Sequence, residues 1–190
     1  MKAAYNDGKW LPDTKGYTVR GGYDWVRSHQ IKPLWYKLVW NSWNVPKHSI
    51  ITWMIMHNGV NTREKLYRRG CCNSDACCIC ENAPETQSRL FFDCGYNKAI
   101  VSLIHNWCGL CISFSGAMAG GYGNVDVKMK KPVYALILNA CVYHIWAQRN
   151  SARINVTLMM PSMVVQKIKD EVGQRIKFKC NAKLSRQEET

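Results

Sequence analysis

The sequence predicts a mainly α-helical domain with a small cysteine-rich knuckle embedded in it. Three observations predict this. Apolar residues recur at three- and four-residue spacing in successive stretches, the period of an α-helix. Pro and Gly stand where those stretches should start and stop. Six of the ten cysteines (Cys71, Cys72, Cys77, Cys78, Cys80 and Cys94) fall inside one stretch of 24 positions. With 47% hydrophobic and 11% aromatic residues among 190, the chain can bury a sizeable core, and a disordered chain is excluded by composition.

Taken in order, Tyr17–Val19 suits a short extended piece, and Tyr23, Val26 and Arg27 begin a helix that must stop before Pro33. Trp35, Leu38, Val39 and Trp43 form the apolar face of a second helix. Pro46 opens a third, in which Ile50, Ile51, Trp53, Met54, Ile55 and Met56 are apolar all round, so it is expected to be central and buried. Asn61 with Glu64 has the form of a capping box for a helix Arg63–Arg69, with Leu66 facing inward and Gly70 as its terminator. Ile100, Ile104, Trp107, Cys108 and Cys111 share one face of the helix after the cysteines. Gly116, Gly120, Gly121 and Gly123 mark a linker or insertion over 113–131. Two C-terminal helices occupy 132–180: Val133, Leu136, Ile137, Ala140, Cys141 and His144 line one face, and Val165, Ile168, Val172 and Ile176 the other, with Ser162 as an N-cap. Residues 181–190 read as a disordered tail.

The cysteines point to metal rather than to disulfides. They are clustered, and the opening MKAAYNDGKW has no apolar leader, so a reducing intracellular setting is expected. Cys77-x2-Cys80 puts two thiolates across a tight turn, the spacing that lets both reach one tetrahedral ion, and Cys94 follows after thirteen residues. A rival set, Cys77 and Cys80 with Cys108 and Cys111, needs an interval longer than a zinc ribbon uses, and the latter two continue an apolar face. His48, His57, His105 and His144 read first as core or helix-end histidines.

Ala76-Cys77-Cys78-Ile79-Cys80-Glu81-Asn82-Ala83-Pro84-Glu85-Thr86, then Arg89-Leu90-Phe91-Phe92-Asp93-Cys94, resembles the zinc-binding domain that follows reverse transcriptase in plant non-LTR, LINE-like retrotransposons. Asp7-x2-Trp10, Gly16-Tyr17-Thr18-Val19, Trp35-x4-Trp40, Pro46-Lys47, Asn61-Thr62 and Tyr143-His144-Ile145-Trp146-x2-Arg149-Asn150 extend the resemblance over roughly residues 5–155. It implies a zinc-binding domain over 1–112, with its knuckle at 71–95. It also implies zinc ligation by Cys77, Cys80 and Cys94, with a histidine at the position that Arg89 occupies here. A guanidinium cannot ligate, so Cys72 is the expected substitute, ahead of Cys71, Asp93 or water.

The net charge of +13 points to polyanions. It is uneven: residues 1–70 carry 12 basic and 4 acidic side chains, 71–111 carry 2 and 4, and 112–190 carry 12 and 5. The basic surface must therefore come from the flanks, and Arg63, Lys65, Arg68 and Arg69 crowd the short helix before the knuckle as candidate nucleic-acid contacts. Lys167, Lys169, Arg175, Lys177 and Lys179 surround the last apolar stripe. The charge-free runs Ala99–Val125 and Pro132–Gln148 are broken by Asn, His and Gly, so no membrane span is expected. There is no Tyr-x-Asp-Asp turn, phosphate loop or Gly-x-Ser-x-Gly elbow. The expectation is a non-catalytic module, intracellular and by the resemblance nuclear. RNA or DNA and a reverse transcriptase encoded elsewhere are its expected partners, and no small-molecule substrate is expected.

Overall fold

The computed structural model describes residues 5–6, 9–10, 32–109 and 130–188 of the chain. The chain divides into two compact units, Met1–Pro33 and Leu34–Thr190. In the first, β1 (Tyr5–Asn6) pairs antiparallel with β2 (Lys9–Trp10), Tyr5 opposite Trp10. The extended piece and helix expected between Tyr17 and Pro33 lie outside the described residues, as do the glycine-rich segment and Cys111.

The second unit is mainly helical, as the sequence predicts, and carries the cysteine knuckle between its helices. Its elements are α1 (Tyr36–Val39), α2 (Pro46–Met56), α3 (Arg63–Arg68), a π-helical turn (Arg89–Asp93), α4 (Gly95–Cys108), α5 (Lys130–Ile154) and α6 (Pro161–Glu188). The charge-free run becomes the centre: α5 packs on α1, α2, α6 and the π turn, and every residue from Tyr134 to Val142 is buried. The single face expected from Val133 to His144 was too narrow, because neighbours cover this helix on nearly all sides. Ile51 and Ile55 of α2, Ile100 and Ile104 of α4, and Val164, Val165, Ile168 and Val172 of α6 complete the core with Leu90 and Phe91.

Several helix ends differ from expectation for one reason: side chains take the backbone groups. The helix expected through Trp43 stops at Val39. The Asn41 side chain accepts from Trp43 and Asn44 N–H at 2.9 and 3.2 Å, and Asn44 Nδ2 donates to the Leu38 and Val39 carbonyls at 2.9 and 2.8 Å. Ser49 Oγ donates to the Val39 carbonyl at 2.8 Å, and Asn139 Nδ2 reaches the Leu38 carbonyl from α5 at 3.1 Å. The cap of α3 is Thr62, whose hydroxyl accepts from Lys65 N–H at 3.4 Å, one residue after the expected Asn61. Leu66 is only half-buried, while Gly70, at φ +69°, ends that helix as expected. Helix α6 starts at Pro161, which leaves Ser162 inside the first turn, and it runs to Glu188. The segment expected as a disordered tail is therefore largely helical, being rich in Lys, Leu, Arg, Gln and Glu that favour a helix without needing a core.

Helix α2 is not buried all round. Ile50 and Trp53 are 49% and 41% exposed, whereas His48, Ser49 and Thr52 are buried. Its uniform hydrophobicity concealed which face turns inward. His57 sits at the end of α2 between the Trp35 and Trp53 rings, at centroid distances of 5.4 and 5.2 Å. His105 and Trp107 of α4 are exposed. Among the described residues no helix is long and apolar enough to cross a membrane.

The basic stripe of α6 is partly structural. Arg175 Nε donates to the Trp43 carbonyl at 2.9 Å, and its Nη2 donates to the carbonyls of Ser42 and Asn44 at 3.2 and 3.1 Å, clamping α6 to the turn between α1 and α2. Lys169 lies 5.5 Å from the Trp107 ring centroid. Arg175→Ala should lower unfolding stability by about 1.5–3 kcal/mol in urea denaturation. Arg175→Lys should recover only a fraction of that, since an ammonium lacks the fork that spans three carbonyls. A change below about 0.5 kcal/mol in the alanine variant, the size of an ordinary surface substitution, would remove the clamp from the account.

Candidate metal centre

The knuckle is built on short backbone contacts. After Gly70 the chain turns back, and Ala76 bridges antiparallel to Pro84. Cys77 N–H donates to the Ala83 carbonyl at 2.8 Å, Glu81 N–H to the Cys77 carbonyl at 2.9 Å, and Glu85 N–H to the Asp75 carbonyl at 2.7 Å. Glu81 takes a positive φ of +53° to complete the turn. These bonds fold Cys77 to Asn82 into a tight loop that brings both thiols of the pair to one side.

Cys94 arrives from the other direction. The π turn inserts Leu90 and Phe91 into the core and returns the chain through a bond from Cys94 N–H to the Arg89 carbonyl at 3.0 Å. Cys94 then caps the start of α4. The Sγ atoms of Cys77, Cys80 and Cys94 all lie within 4.8 Å of one another. Zn–S bonds of about 2.3 Å in a tetrahedron place sulfurs about 3.8 Å apart, so a small contraction would suit one ion. Cys77 and Cys94 are buried, and Cys80 is half-buried. Burial pushes the Cys77 thiol up to about 11. Burial also pushes Cys80 up, but the Asn82 N–H, the Arg89 guanidinium and the neighbouring thiols outweigh it and hold Cys80 at about 7.

Arg89 reaches the cluster as a donor rather than as a ligand: its Nη2 lies 3.7 Å from Cys80 Sγ. Cys72, the expected substitute ligand, stands outside the trio, and its thiol donates to the Ser74 carbonyl at 3.3 Å. Cys71 is exposed, and Cys108 packs against the core at the end of α4. Cys78 turns away from Cys77 and donates to Glu85 Oε2 at 3.2 Å. Burial and the Glu85 charge push that thiol up to about 12, so it is a protonated donor.

The residues that hold the knuckle in place were not recognised in the sequence. Glu85 is fully buried. Its Oε1 accepts from Arg63 N–H at 2.9 Å and from Arg149 Nε and Nη2 at 3.1 and 2.6 Å. Arg149 Nη2 also donates to the Asn61 carbonyl at 3.0 Å. Gln87 Nε2 donates to the Ile55 carbonyl at 2.9 Å, fastening the loop to α2. Pro84-Glu85-Thr86 and Arg149-Asn150 were visible as motif pieces, but no spacing rule pairs residues 64 apart.

The four basic candidates on α3 divide. Arg63 Nε donates to the Ser74 carbonyl at 3.2 Å, and Lys65 Nζ donates to the Asn58 carbonyl, to Asn58 Oδ1 and to the Val60 carbonyl. Arg68 pairs with Glu64 one turn earlier, while Arg69 donates to Asn61 Oδ1 at 3.4 Å. Arg68 and Arg69 are exposed and directly follow Tyr67, itself 51% exposed, which composition alone did not single out.

Residues 17–100 match the family model described as zinc-binding in reverse transcriptase. The match takes in α1 to α3, the whole knuckle and the first turns of α4, and ends before α5 and α6. No curated protein and no solved structure matches the chain.

Removing either partner of the Glu85–Arg149 pair strands a buried charge, so Arg149→Met should destabilise the domain by about 3–5 kcal/mol. Burial pushes the Glu85 carboxyl up, but the Arg149 guanidinium and the Arg63 N–H outweigh it and hold the group below its usual 4.5. A depressed carboxylate contributes its stability above that value and loses it as pH falls through the folded pKa. Urea midpoints of the parent should therefore decline below pH 4.5, and Glu85→Gln should flatten that decline. Parallel acid limbs would sink the assignment.

Proposed function

We propose that Cys77, Cys80 and Cys94 hold zinc and that the domain is a non-catalytic nucleic-acid-binding module of the reverse-transcriptase-associated kind. The convergence of three thiols within 4.8 Å, inside the span that matches the zinc-binding family model, carries this reading. The resemblance of the knuckle motif to plant LINE-like elements supports an origin in such an element. On this reading RNA or DNA is met in the nucleus, and a polymerase encoded elsewhere supplies the chemistry.

Zinc here would act structurally, cross-linking the Cys77–Cys80 loop to the start of α4. Three thiolates around a dication leave one net negative charge, and the Arg89 guanidinium beside Cys80 offsets it. The fourth position then falls to water or to an outside donor. On the nucleic-acid side, Tyr67, followed by Arg68 and Arg69, offers a ring for an unpaired base and two cations for the adjoining phosphates. A second reading, in which the knuckle is a metal-free structural or protein-interaction element, draws on the inward commitment of Arg63 and Lys65.

Two measurements test the proposal. Metal analysis of the full chain should find one more equivalent of zinc than Cys80→Ser retains, and Arg89→His should tighten that equivalent by supplying the missing imidazole; equal zinc in parent and Cys80→Ser removes the thiol ligand assignment. Fluorescence anisotropy with single-stranded RNA should show affinity that falls with salt, at a log–log slope of roughly −0.7 per phosphate neutralised. Arg68→Glu with Arg69→Glu should weaken binding and flatten that slope. No affinity at low salt ends the nucleic-acid reading.

A further inference from the structure

A second group of metal-ligating side chains lies away from the knuckle, where α2, α5 and α6 meet. His48 stands in the first turn of α2, His144 in the middle of α5 and Glu171 in the middle of α6. One ligand atom of each lies within 4.8 Å of the other two. His144 Nε2 is 2.8 Å from Glu171 Oε2, and His48 Nε2 is 3.2 Å from Glu171 Oε1. Nitrogen and oxygen ligands at about 2.0–2.1 Å from a tetrahedral ion stand about 3.3–3.4 Å apart, so the two histidine–carboxylate spacings are near what one ion needs.

The decisive feature is His48. Its side chain is 0% exposed, yet neither ring nitrogen makes a hydrogen bond. The 3.2 Å approach to Glu171 lacks the alignment of one. A buried polar group without a partner is rare and calls for a specific occupant, commonly an ion or a water. The ring is braced by the Tyr143 ring, centroids 4.4 Å apart, which fixes its direction toward Glu171.

We propose that His48, His144 and Glu171 form a second metal site, suited to a borderline divalent ion of the zinc class, with its fourth position open to solvent. Two imidazoles and one carboxylate are the donor set such ions accept. The approach lies on the Glu171 side, where that side chain is 25% exposed. Lys47 is the competitor: its Nζ sits 3.3 Å from Glu171 Oε1 and neutralises the carboxylate. Its side chain is 55% exposed and its ammonium lies 4.8 Å from the Tyr143 centroid, so it can leave the carboxylate and keep a favourable seat. The ion would then tie three helices together at one point, independently of the thiol site.

Cobalt(II) titration of the full chain separates the two sites, because thiolate ligation gives an intense charge-transfer absorption that nitrogen and oxygen ligands do not. The expected result is one equivalent of cobalt without that band, lost or weakened at least about a hundredfold in His144→Gln and in Glu171→Gln. Any thiolate band should be unchanged in both. Lys47→Gln, which removes the competing ammonium, should tighten the band-free equivalent severalfold. The proposal is overturned if the parent binds cobalt only with the thiolate band, or if the band-free equivalent survives Glu171→Gln in a protein whose far-ultraviolet dichroism is unchanged. It is equally overturned if Lys47→Gln leaves the affinity the same or lowers it. Failure of the thiol site would appear instead as absence of the charge-transfer band, and bears only on the knuckle.

Discussion

The carboxylate of Glu85 and the guanidinium of Arg149 meet in a place that water does not reach, and the knuckle depends on that meeting. Taking both charges out of water is costly, and their attraction offsets the cost only when the remaining donors and acceptors are satisfied as well. Here they are. The Arg63 N–H, the Cys78 thiol and Nε and Nη2 of Arg149 converge on Glu85, while Arg149 also closes the Asn61 carbonyl. The pair thus joins the start of α3, the loop that presents Cys77 and Cys80, and the C-terminal part of α5. Arg149 lies beyond the residues that match the family model, so the knuckle of this chain is completed by a helix outside the matched span.

That dependence alters the meaning of the positive charge. A net +13 suggests a surface for polyanions, but several of the cations are occupied within the fold. Arg149 neutralises Glu85, Arg175 clamps three carbonyls between α1 and α2, Lys65 closes the carbonyls after α2, and Arg89 faces a thiol. Arginine suits such positions because its planar fork reaches several acceptors while its charge never leaves. Among the described residues these four cations therefore serve the fold, and the surface proposed for nucleic acid rests on others, Arg68 and Arg69 beside Tyr67.

Much of this was legible in the sequence, where local chemistry decides the outcome. Pro46 opens α2, Gly70 ends α3, and the Cys77, Cys80 and Cys94 spacing gives a convergent trio. The face drawn through Cys111 overran, since α4 ends at Gly109, at φ +64°. What was not legible involves polar groups meeting across the fold. Periodicity could not orient α2, whose apolar residues surround the axis while His48, Ser49 and Thr52 face inward. Nor could it end α1, because the residues that take its carbonyls are Asn44, Ser49 and, from α5, Asn139. Glu85 and Arg149, like His48, His144 and Glu171, become partners only once the helices are packed.

These buried polar contacts answer a problem that the apolar residues create. Helices that meet largely through apolar side chains can slide by a turn or rotate with little loss of buried area, since hydrophobic burial has no direction. Hydrogen bonds do have direction, and an unmade one in the interior is expensive. Asn139 donates at once to its own helix and to the end of α1, Gln148 accepts the Met159 N–H ahead of α6, and Arg149 fixes the height of α5 against the knuckle loop. A slide of one turn, about 5.4 Å, would break all three together. The apolar run of α5 makes it central, and its few polar residues determine the position at which it is central, which is the position that brings Arg149 to the cysteine loop.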